Sequence, residues 1–202
     1  MKYFNFVSLL FHPLLLPFIA TLIFFRLEPN AISTELQLKI IGLVGSITLV
    51  FPIIMLYVLK KSGMIQSYEV KNIKERRTPF VYMIALFLLL SYTFHKIQVL
   101  YVLSSLFLGC SLALIVALAL FSIGIKTSVH MIGAVSIVSF FLIYSVVYET
   151  NNIHAIAISI FITGIIGQSR LHLKAHTFLE IVVGVGVGLG MQLLAYSYTI
   201  VS

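Results

Sequence analysis

Long apolar runs recur along the whole chain, and they decide its fold class before any motif is considered. Of the 202 residues, 60% are hydrophobic and 9% are charged, whereas a soluble domain has roughly 25% charged residues. A helix of roughly 20 apolar residues crosses the hydrocarbon core of a bilayer. The runs predict an all-α polytopic membrane protein, with six to seven transmembrane helices in one bundle. The predicted spans are 4–25, 40–59, 80–94, 97–125, 127–148, 153–166 and 178–201.

The positions of proline and glycine residues predict further features of these spans. Pro13 and Pro17 lie inside the first apolar run and predict a kinked helix. Thr78 followed by Pro79 is a typical helix start, which predicts that the third span begins there. The last span contains two overlapping pairs of small residues four apart, and this spacing favours close packing against another helix. These residues are Gly184, Gly186, Gly188 and Gly190.

Three polar stretches fall on the same predicted membrane face. Two crossings separate the stretch 71–79 from 126–130, and two more separate the latter from 169–180. A composite site is therefore possible, with cations, histidines and a helix N-terminus that suit a tetrahedral dianion such as a phosphate monoester. The formal charge of +7 lies in short loops between spans, so anionic lipid or phosphate is a better partner than nucleic acid. The predicted set is Lys71, Arg77, Ser128, His130, Arg170, His176 and Glu180.

The stretch 168–180 is the densest in ionisable residues. If the chain is helical from Lys174 onward, His176 and Glu180 lie four apart on one face. The carboxylate would then accept a hydrogen bond from one imidazole nitrogen and leave the other basic, as in an oriented histidine nucleophile or base. The alternative is a juxtamembrane basic cluster with a snorkelling glutamate.

Composition favours chemistry without a metal or another cofactor. The chain has six glutamates, no aspartate and one cysteine, Cys110, so aspartate-rich magnesium sites and cysteine-based sites are not available. A less favoured alternative is a metal stripe formed by His172, His176 and Glu180. The remaining histidines are predicted to lie at the membrane interface without a functional role: His12, His95 and His154.

The three stretches together resemble the three-part motif of the type 2 phosphatidic acid phosphatase superfamily, the metal-independent lipid phosphatases related to vanadium haloperoxidases. The first part matches Lys71 to Pro79, and the second matches Thr127-Ser128-Val129-His130. The third is the most specific, with Ser169-Arg170, five residues, His176, three residues and Glu180. The resemblance covers residues 71–200 and implies a phosphatase-like core. The first two spans, within residues 1–61 of a single domain 1–202, are not matched.

By this resemblance, the protein is a membrane hydrolase of lipid phosphate monoesters or diphosphates. His176 would be the nucleophile that forms a phosphohistidine, and Glu180 would hold its ring. His130 would protonate the leaving oxygen and then activate water. The resemblance implies that the phosphate oxygens are bound by Lys71, Arg77, Ser128 and Arg170.

Three departures from the family motif support a second hypothesis. Glu180 stands where the family has aspartate, Val129 where it has glycine, and Arg77 is one residue earlier than the family's arginine. The protein could therefore be an inactive relative that binds phospholipid or has a structural role.

The predicted location is the cell membrane, as a multi-pass protein. Ten lysines and arginines lie on the motif face and three on the other, which indicates a cytoplasmic site by the positive-inside rule. Many members of the resembled family act on the outer face, so both orientations stay open. The ten are Lys2, Lys60, Lys61, Lys71, Lys74, Arg76, Arg77, Lys126, Arg170 and Lys174, and the three are Arg26, Lys39 and Lys96.

Overall fold

The computed structural model describes residues 2–67 and 73–201, and over these residues it contains helices and no β-strand. Six helical segments are long and apolar enough to cross a membrane, and the bent N-terminal pair adds a seventh if it counts as one span. The prediction of an all-helical polytopic membrane protein is therefore confirmed. The helices are α1 (Lys2–Leu10), α2 (Leu15–Leu27), α3 (Thr34–Gly45), α4 (Phe51–Lys61), α5 (Ile73–His95), α6 (Tyr101–Ser122), α7 (Val129–Val147), α8 (Ile153–His172) and α9 (Phe178–Val201).

The first apolar run forms the broken helix pair α1 and α2. The two helices meet at an angle of 57°. Pro13 lies in the break and has no N–H to continue the helical ladder. The Leu15 N–H donates to the His12 carbonyl oxygen at 2.8 Å, which starts α2 in a new direction. The predicted kink is thus confirmed.

The second span is one helix of 28 residues, Thr34–Lys61, in which α3 and α4 are joined by a π-helical turn at Ser46–Val50. In this turn the Phe51 N–H donates to the Ser46 carbonyl oxygen. The wider turn comes directly before Pro52, which cannot donate. A π-turn at this point lets the helix continue past the proline.

Two predicted helix boundaries are wrong, and both affect the polar stretches. The helix α5 begins at Ile73, so Pro79 lies inside it and does not start it. The helix α8 runs to His172, so Arg170 is in its last turn and not in a loop. The hydropathy pattern did not predict these two helix ends, because the residues there are polar. The end charges suit the helix dipole, with Glu75 in the first turn of α5 and Arg170 in the last turn of α8.

The centre of the bundle is formed by α6 and α7. The helix α6 packs against α5, α7 and α9, while α7 also contacts α8 and α2. Phe94, Phe107 and Phe140 are among the largest side chains that are fully buried there. Because α7 contacts both α8 and α9, its N-terminus lies beside the polar link between those two helices.

One face of the glycine-rich helix α9 packs closely on α7. A Cβ added to Gly184 would lie 2.8 Å from the Ser128 carbonyl oxygen, and one added to Gly188 would lie 3.0 Å from another α7 carbonyl oxygen. By contrast, a Cβ at Gly186 or Gly190 would meet nothing within 4 Å. Close packing is therefore confirmed for Gly184 and Gly188, and the other two glycines lie on the open face.

We expect Gly184→Ala to destabilise the protein, with Gly186→Ala as the matched control in the same helix. The added methyl at position 184 meets backbone, which cannot yield as a flexible side chain does. Overpacking of this kind costs about 1–3 kcal/mol. Thermal unfolding in detergent should show a lower midpoint for Gly184→Ala and an unchanged or higher midpoint for Gly186→Ala, since alanine favours a helix more than glycine does. Equal midpoints for the two variants would contradict the packing.

Candidate functional site

A cavity of about 250 Å³ lies between the first two spans and the helices α5 to α8. Five histidine and arginine side chains line it, and no carboxylate is among the described residues that do so. The remaining wall is mostly apolar, with leucine, isoleucine, methionine, proline and phenylalanine side chains. A cavity with cationic groups and a long apolar wall suits an anionic headgroup attached to an apolar body. The five residues are His12, Arg76, His130, Arg170 and His176.

The turn between α8 and α9 carries His176 to the cavity. The Ala175 N–H donates to the Arg170 carbonyl oxygen at 3.1 Å, which closes the end of α8. Lys174 has a φ of 52°, in the left-handed region where helices commonly end. The chain therefore reverses at Lys174, so that Arg170 and His176 line the same cavity.

Glu180 holds both the start of α9 and the ring of His176. Its N–H donates to Thr177 Oγ1 at 3.3 Å and its Oε2 accepts the Thr177 N–H at 3.3 Å, a reciprocal cap of the T-x-x-E type. The same Oε2 lies 2.8 Å from His176 Nδ1. A carboxylate only accepts, so Nδ1 carries the proton and the lone pair of a neutral ring is on Nε2.

The predicted contact between His176 and Glu180 is confirmed, but the predicted helical route to it is wrong. The helix α9 begins at Phe178, so His176 precedes it and is not on a helix face. The cap of α9 turns the Glu180 side chain back toward the preceding turn. The predicted start of the last span at residue 178 is correct, and the T-x-x-E pattern at 177–180 is the sequence signal against a helix that begins earlier.

Burial is the main influence on the His176 imidazole and lowers its pKa below 6.5. The hydrogen bond to Glu180 raises the pKa, and the nearby charges of Arg170 and Arg76 lower it. The net direction is downward, so the ring is neutral near pH 7. Nε2 therefore has the lone pair that a nucleophile needs.

Ser128 and His130 lie at the start of α7 and differ in their access to the cavity. Ser128 precedes the first residue of the helix, and its N–H donates to the Glu180 carbonyl oxygen at 3.2 Å. Its side chain is fully buried, its Oγ has no hydrogen-bond partner among the described residues, and it does not line the cavity. His130 does line the cavity, with Nε2 3.3 Å from the Ser8 carbonyl oxygen and 3.4 Å from Ser8 Oγ.

Arg170 lines the cavity from the last turn of α8. Its Nη1 donates to Ser8 Oγ at 2.5 Å, which ties α8 to the N-terminal helix α1. Its Nε is buried and has no hydrogen-bond partner among the described residues. Arg170 therefore has donor capacity directed into a protein interior, as an anion-binding arginine requires.

The structure brings Arg76 to the cavity and does not bring Arg77 there. Arg76 lines the cavity and lies over the ring of Phe121, with 5.8 Å between its Cζ and the ring centroid. Arg77 is exposed. Because α5 begins at Ile73, both arginines lie on this helix, and successive helical residues point about 100° apart, so the two side chains face different directions. The predicted phosphate ligand Lys71 lies outside the described residues.

His172 does not form the alternative metal stripe. Its ring stacks on Phe4, with 4.1 Å between the ring centroids. Over residues 2–67 and 73–201, no group of three or more histidine, cysteine, aspartate or glutamate side chains is arranged to hold a metal ion.

His12 belongs to the site although the sequence analysis predicted it to lie at the interface. It lines the cavity from the break between α1 and α2, and its ring centroid is 5.5 Å from that of His130. The Leu14 N–H donates to His12 Nδ1 at 3.4 Å, so the proton of the neutral ring is on Nε2. An ionisable residue inside the apolar run 4–25 is itself a sign of a functional site and could have indicated this role.

No protein family model, no curated protein and no solved structure matches this chain. Its function is therefore inferred from the residues of the cavity.

We expect Arg76→Gln to weaken binding of orthovanadate and inorganic phosphate, while Arg77→Gln leaves it nearly unchanged. A hydrogen bond to a charged group contributes about 1.5–3 kcal/mol, which corresponds to roughly a 10- to 100-fold change in Kd. Titration calorimetry on the purified protein can measure both variants. The two substitutions remove the same charge from adjacent positions, so a larger effect of Arg77→Gln would contradict the register of α5.

Proposed function

We propose that the protein is an integral membrane phosphatase of the cell membrane that hydrolyses a lipid phosphate monoester or diphosphate through a phosphohistidine intermediate, without a metal ion. The observation that carries the proposal is a cavity in which two arginines and His176, held from behind by Glu180, meet a long apolar wall. The motif order supports membership of the type 2 phosphatidic acid phosphatase superfamily and its haloperoxidase-like core.

His176 is the nucleophile in this proposal. Its Nε2 attacks phosphorus while Glu180 holds Nδ1 at 2.8 Å and stabilises the positive ring that develops. The N–P bond forms as the ester P–O bond breaks, and the bonding electrons leave with the lipid oxygen. A neutral His176 with a lowered pKa is available for this attack at neutral pH.

His130 serves the leaving group and then the water. The doubly protonated His130 ring delivers the proton on Nε2, the nitrogen that faces a carbonyl acceptor at 3.3 Å, to the departing lipid oxygen and becomes neutral. The neutral ring then takes a proton from the water that attacks the phosphohistidine. This second step breaks the N–P bond, releases inorganic phosphate and regenerates both histidines.

The charged oxygens of the phosphoryl group are stabilised by arginine side chains. Arg76 and Arg170 line the cavity together, and arginine can bind two phosphate oxygens at once. A protein catalyses phosphoryl transfer mainly by stabilising the charge on the phosphoryl oxygens in the transition state. These cations take the electrostatic role that a divalent metal has in other phosphatases. The chain contains no aspartate to favour a magnesium site.

The partner of this site is a lipid within the bilayer. The apolar cavity wall is formed by side chains of α2, α4, α5, α6 and α7, such as Phe87 and Leu114. Burial of apolar chains against these side chains supplies binding energy. The headgroup binds where the ionisable residues meet.

A second candidate is a phospholipid-binding protein without turnover. The observation that favours it is Val129, which lines the cavity where the resembled family has glycine. A side chain at this position limits how closely the α7 backbone can approach a phosphate. Binding without phosphate release would distinguish this candidate.

The first test is phosphate release from a panel of lipid phosphates by the purified protein, in EDTA, with and without orthovanadate. We expect turnover of at least one lipid in EDTA and inhibition by vanadate, which mimics pentacoordinate phosphorus. His176→Ala should lower kcat by at least about 1,000-fold, as loss of a covalent nucleophile does. His154→Ala is the matched control because this histidine is exposed and does not line the cavity.

Three results would count against the phosphatase. Turnover that is lost in EDTA and restored by a divalent metal would replace the mechanism with a metal-dependent one. Parental activity in His176→Ala would exclude a phosphohistidine at that position. Lipid binding without turnover across the panel would favour the second candidate.

Glu180→Gln tests the orienting carboxylate. We expect kcat to fall by on the order of 100-fold, as when the orienting acid of a hydrolytic triad is lost, while Glu180→Asp retains more activity than Glu180→Gln. The pH dependence gives a second readout. The attacking ring must be neutral, so the acid limb of the parental kcat/KM profile should lie below pH 6.5, because burial lowers the pKa of His176.

Glu180 raises the pKa of His176, so Glu180→Gln should move this acid limb to still lower pH. A pH–rate profile of the parent and the two variants measures the shift. A limb that moves to higher pH in Glu180→Gln, or a parental rate in that variant, would show that the carboxylate does not act on His176.

A further inference from the structure

The N-terminal helix α1 occupies the groups that the proposed function assigns to the substrate. Ser8 accepts a hydrogen bond from Arg170 Nη1 through its Oγ at 2.5 Å, and its carbonyl oxygen lies 3.3 Å from His130 Nε2. We propose that Ser8 is an internal ligand of the phosphate site, that α1 closes this site in the free protein, and that the substrate phosphate displaces Ser8. This inference rests on the proposed function and adds the first span to the site.

The hydrogen bonds of Ser8 compete with the catalytic roles of its two partners. A carbonyl oxygen only accepts, so His130 Nε2 directs its proton at Ser8 instead of at a leaving group. Arg170 Nη1 donates to a neutral hydroxyl, which uses one of the donors that a phosphoryl oxygen could take. Catalysis therefore requires the His130 contact to be exchanged, and exchange of the Arg170 contact strengthens phosphate binding.

A phosphate dianion is a better ligand than Ser8 for the same donors. Hydrogen bonds between charged partners are roughly twice as strong as those between neutral groups. Arg170 Nε is buried with no hydrogen-bond partner among the described residues, so Ser8 satisfies this side chain only in part. A phosphate offers several oxygen acceptors and can satisfy more of the guanidinium. Exchange of Ser8 for phosphate is thus favourable once a substrate arrives.

The helix α1 is connected and packed in a way that allows it to move as a unit. Its connection to α2 is the break that bends the pair by 57°. Its inner side is attached to α8 by a hydrogen bond in which the Ser169 Oγ–H donates to the Phe4 carbonyl oxygen at 2.9 Å. Val7 is buried on the same side. The outer side is apolar and exposed, with Phe6 61% and Leu9 70% accessible. In a bilayer this outer side meets lipid whether α1 is open or closed, so only the inner contacts oppose opening.

Substitutions of Ser8 should change KM and kcat differently. Ser8→Ala removes the hydroxyl contact, so we expect KM and the Ki of vanadate to fall by about threefold to tenfold with kcat unchanged. Ser8→Asp places a carboxylate against Arg170 and should raise both constants by about tenfold or more. Asn5→Asp is the matched control, since Asn5 is exposed on the same helix and adds the same charge. A Ser8→Asp effect no larger than that of Asn5→Asp would overturn the proposal.

A labelling experiment tests the lid without relying on turnover. Val7 lies on the inner side of α1 and is 4% exposed. In a Cys110→Ser background, the reactivity of Val7→Cys therefore reports when α1 moves away from the bundle, and Ser8 stays intact. We expect inorganic phosphate to raise its rate of reaction with a soluble maleimide several-fold, and to leave Asn5→Cys unaffected. When Ser8→Asp is combined with Val7→Cys, phosphate should raise the labelling rate by a smaller factor.

The outcomes separate the lid from the phosphatase. Phosphate-dependent labelling without lipid phosphate turnover would support the lid and reject the enzyme. Turnover with labelling that phosphate leaves unchanged or slows would support the enzyme and overturn the lid.

Discussion

The cavity depends on one junction, in which Glu180 connects the start of α9 to the start of α7. Its carboxylate caps Thr177 and holds His176 Nδ1 at 2.8 Å, and its carbonyl oxygen accepts the Ser128 N–H at 3.2 Å. Two polar stretches far apart in the chain are thereby fixed at one place. The absence of a side chain at Gly184 lets α9 approach closely enough for this contact. A small residue in one helix and a capping carboxylate one turn earlier thus position His176 at the cavity.

The bilayer explains why ionisable groups gather at helix ends and breaks. A charge in hydrocarbon is costly unless it has polar partners, and a helix interior offers few. The cavity residues follow this rule, since His130 is in the first turn of α7, Arg170 in the last turn of α8 and His12 in the break before α2. Electrostatic interactions are stronger away from bulk water. The same placement that limits the cost of these charges makes them effective toward an anionic headgroup.

The site is not confined to residues 71–200, because the N-terminal pair α1 and α2 also contributes to it. It contributes His12 to the cavity wall and Ser8 to Arg170 and His130. A ligand with an anionic headgroup and an apolar chain would match both parts of the cavity at once. Because the helix is broken at Pro13, α2 can contribute to the apolar part of the cavity wall while α1 contacts the polar residues.

Local patterns in the sequence determined the membrane class, most of the spans, the shared face of the three polar stretches, and the pairing of His176 with Glu180. These follow from hydropathy, from the parity of crossings and from short spacing, which act within a few residues. The tertiary structure decided that Arg76 and not Arg77 faces the cavity, since both arginines lie on α5 and the packing of α5 fixes which side of the helix faces inward. It also decided the role of Ser8, whose partner His130 is 122 residues away. No local pattern contains such a contact, because it exists only after separate helices have packed together.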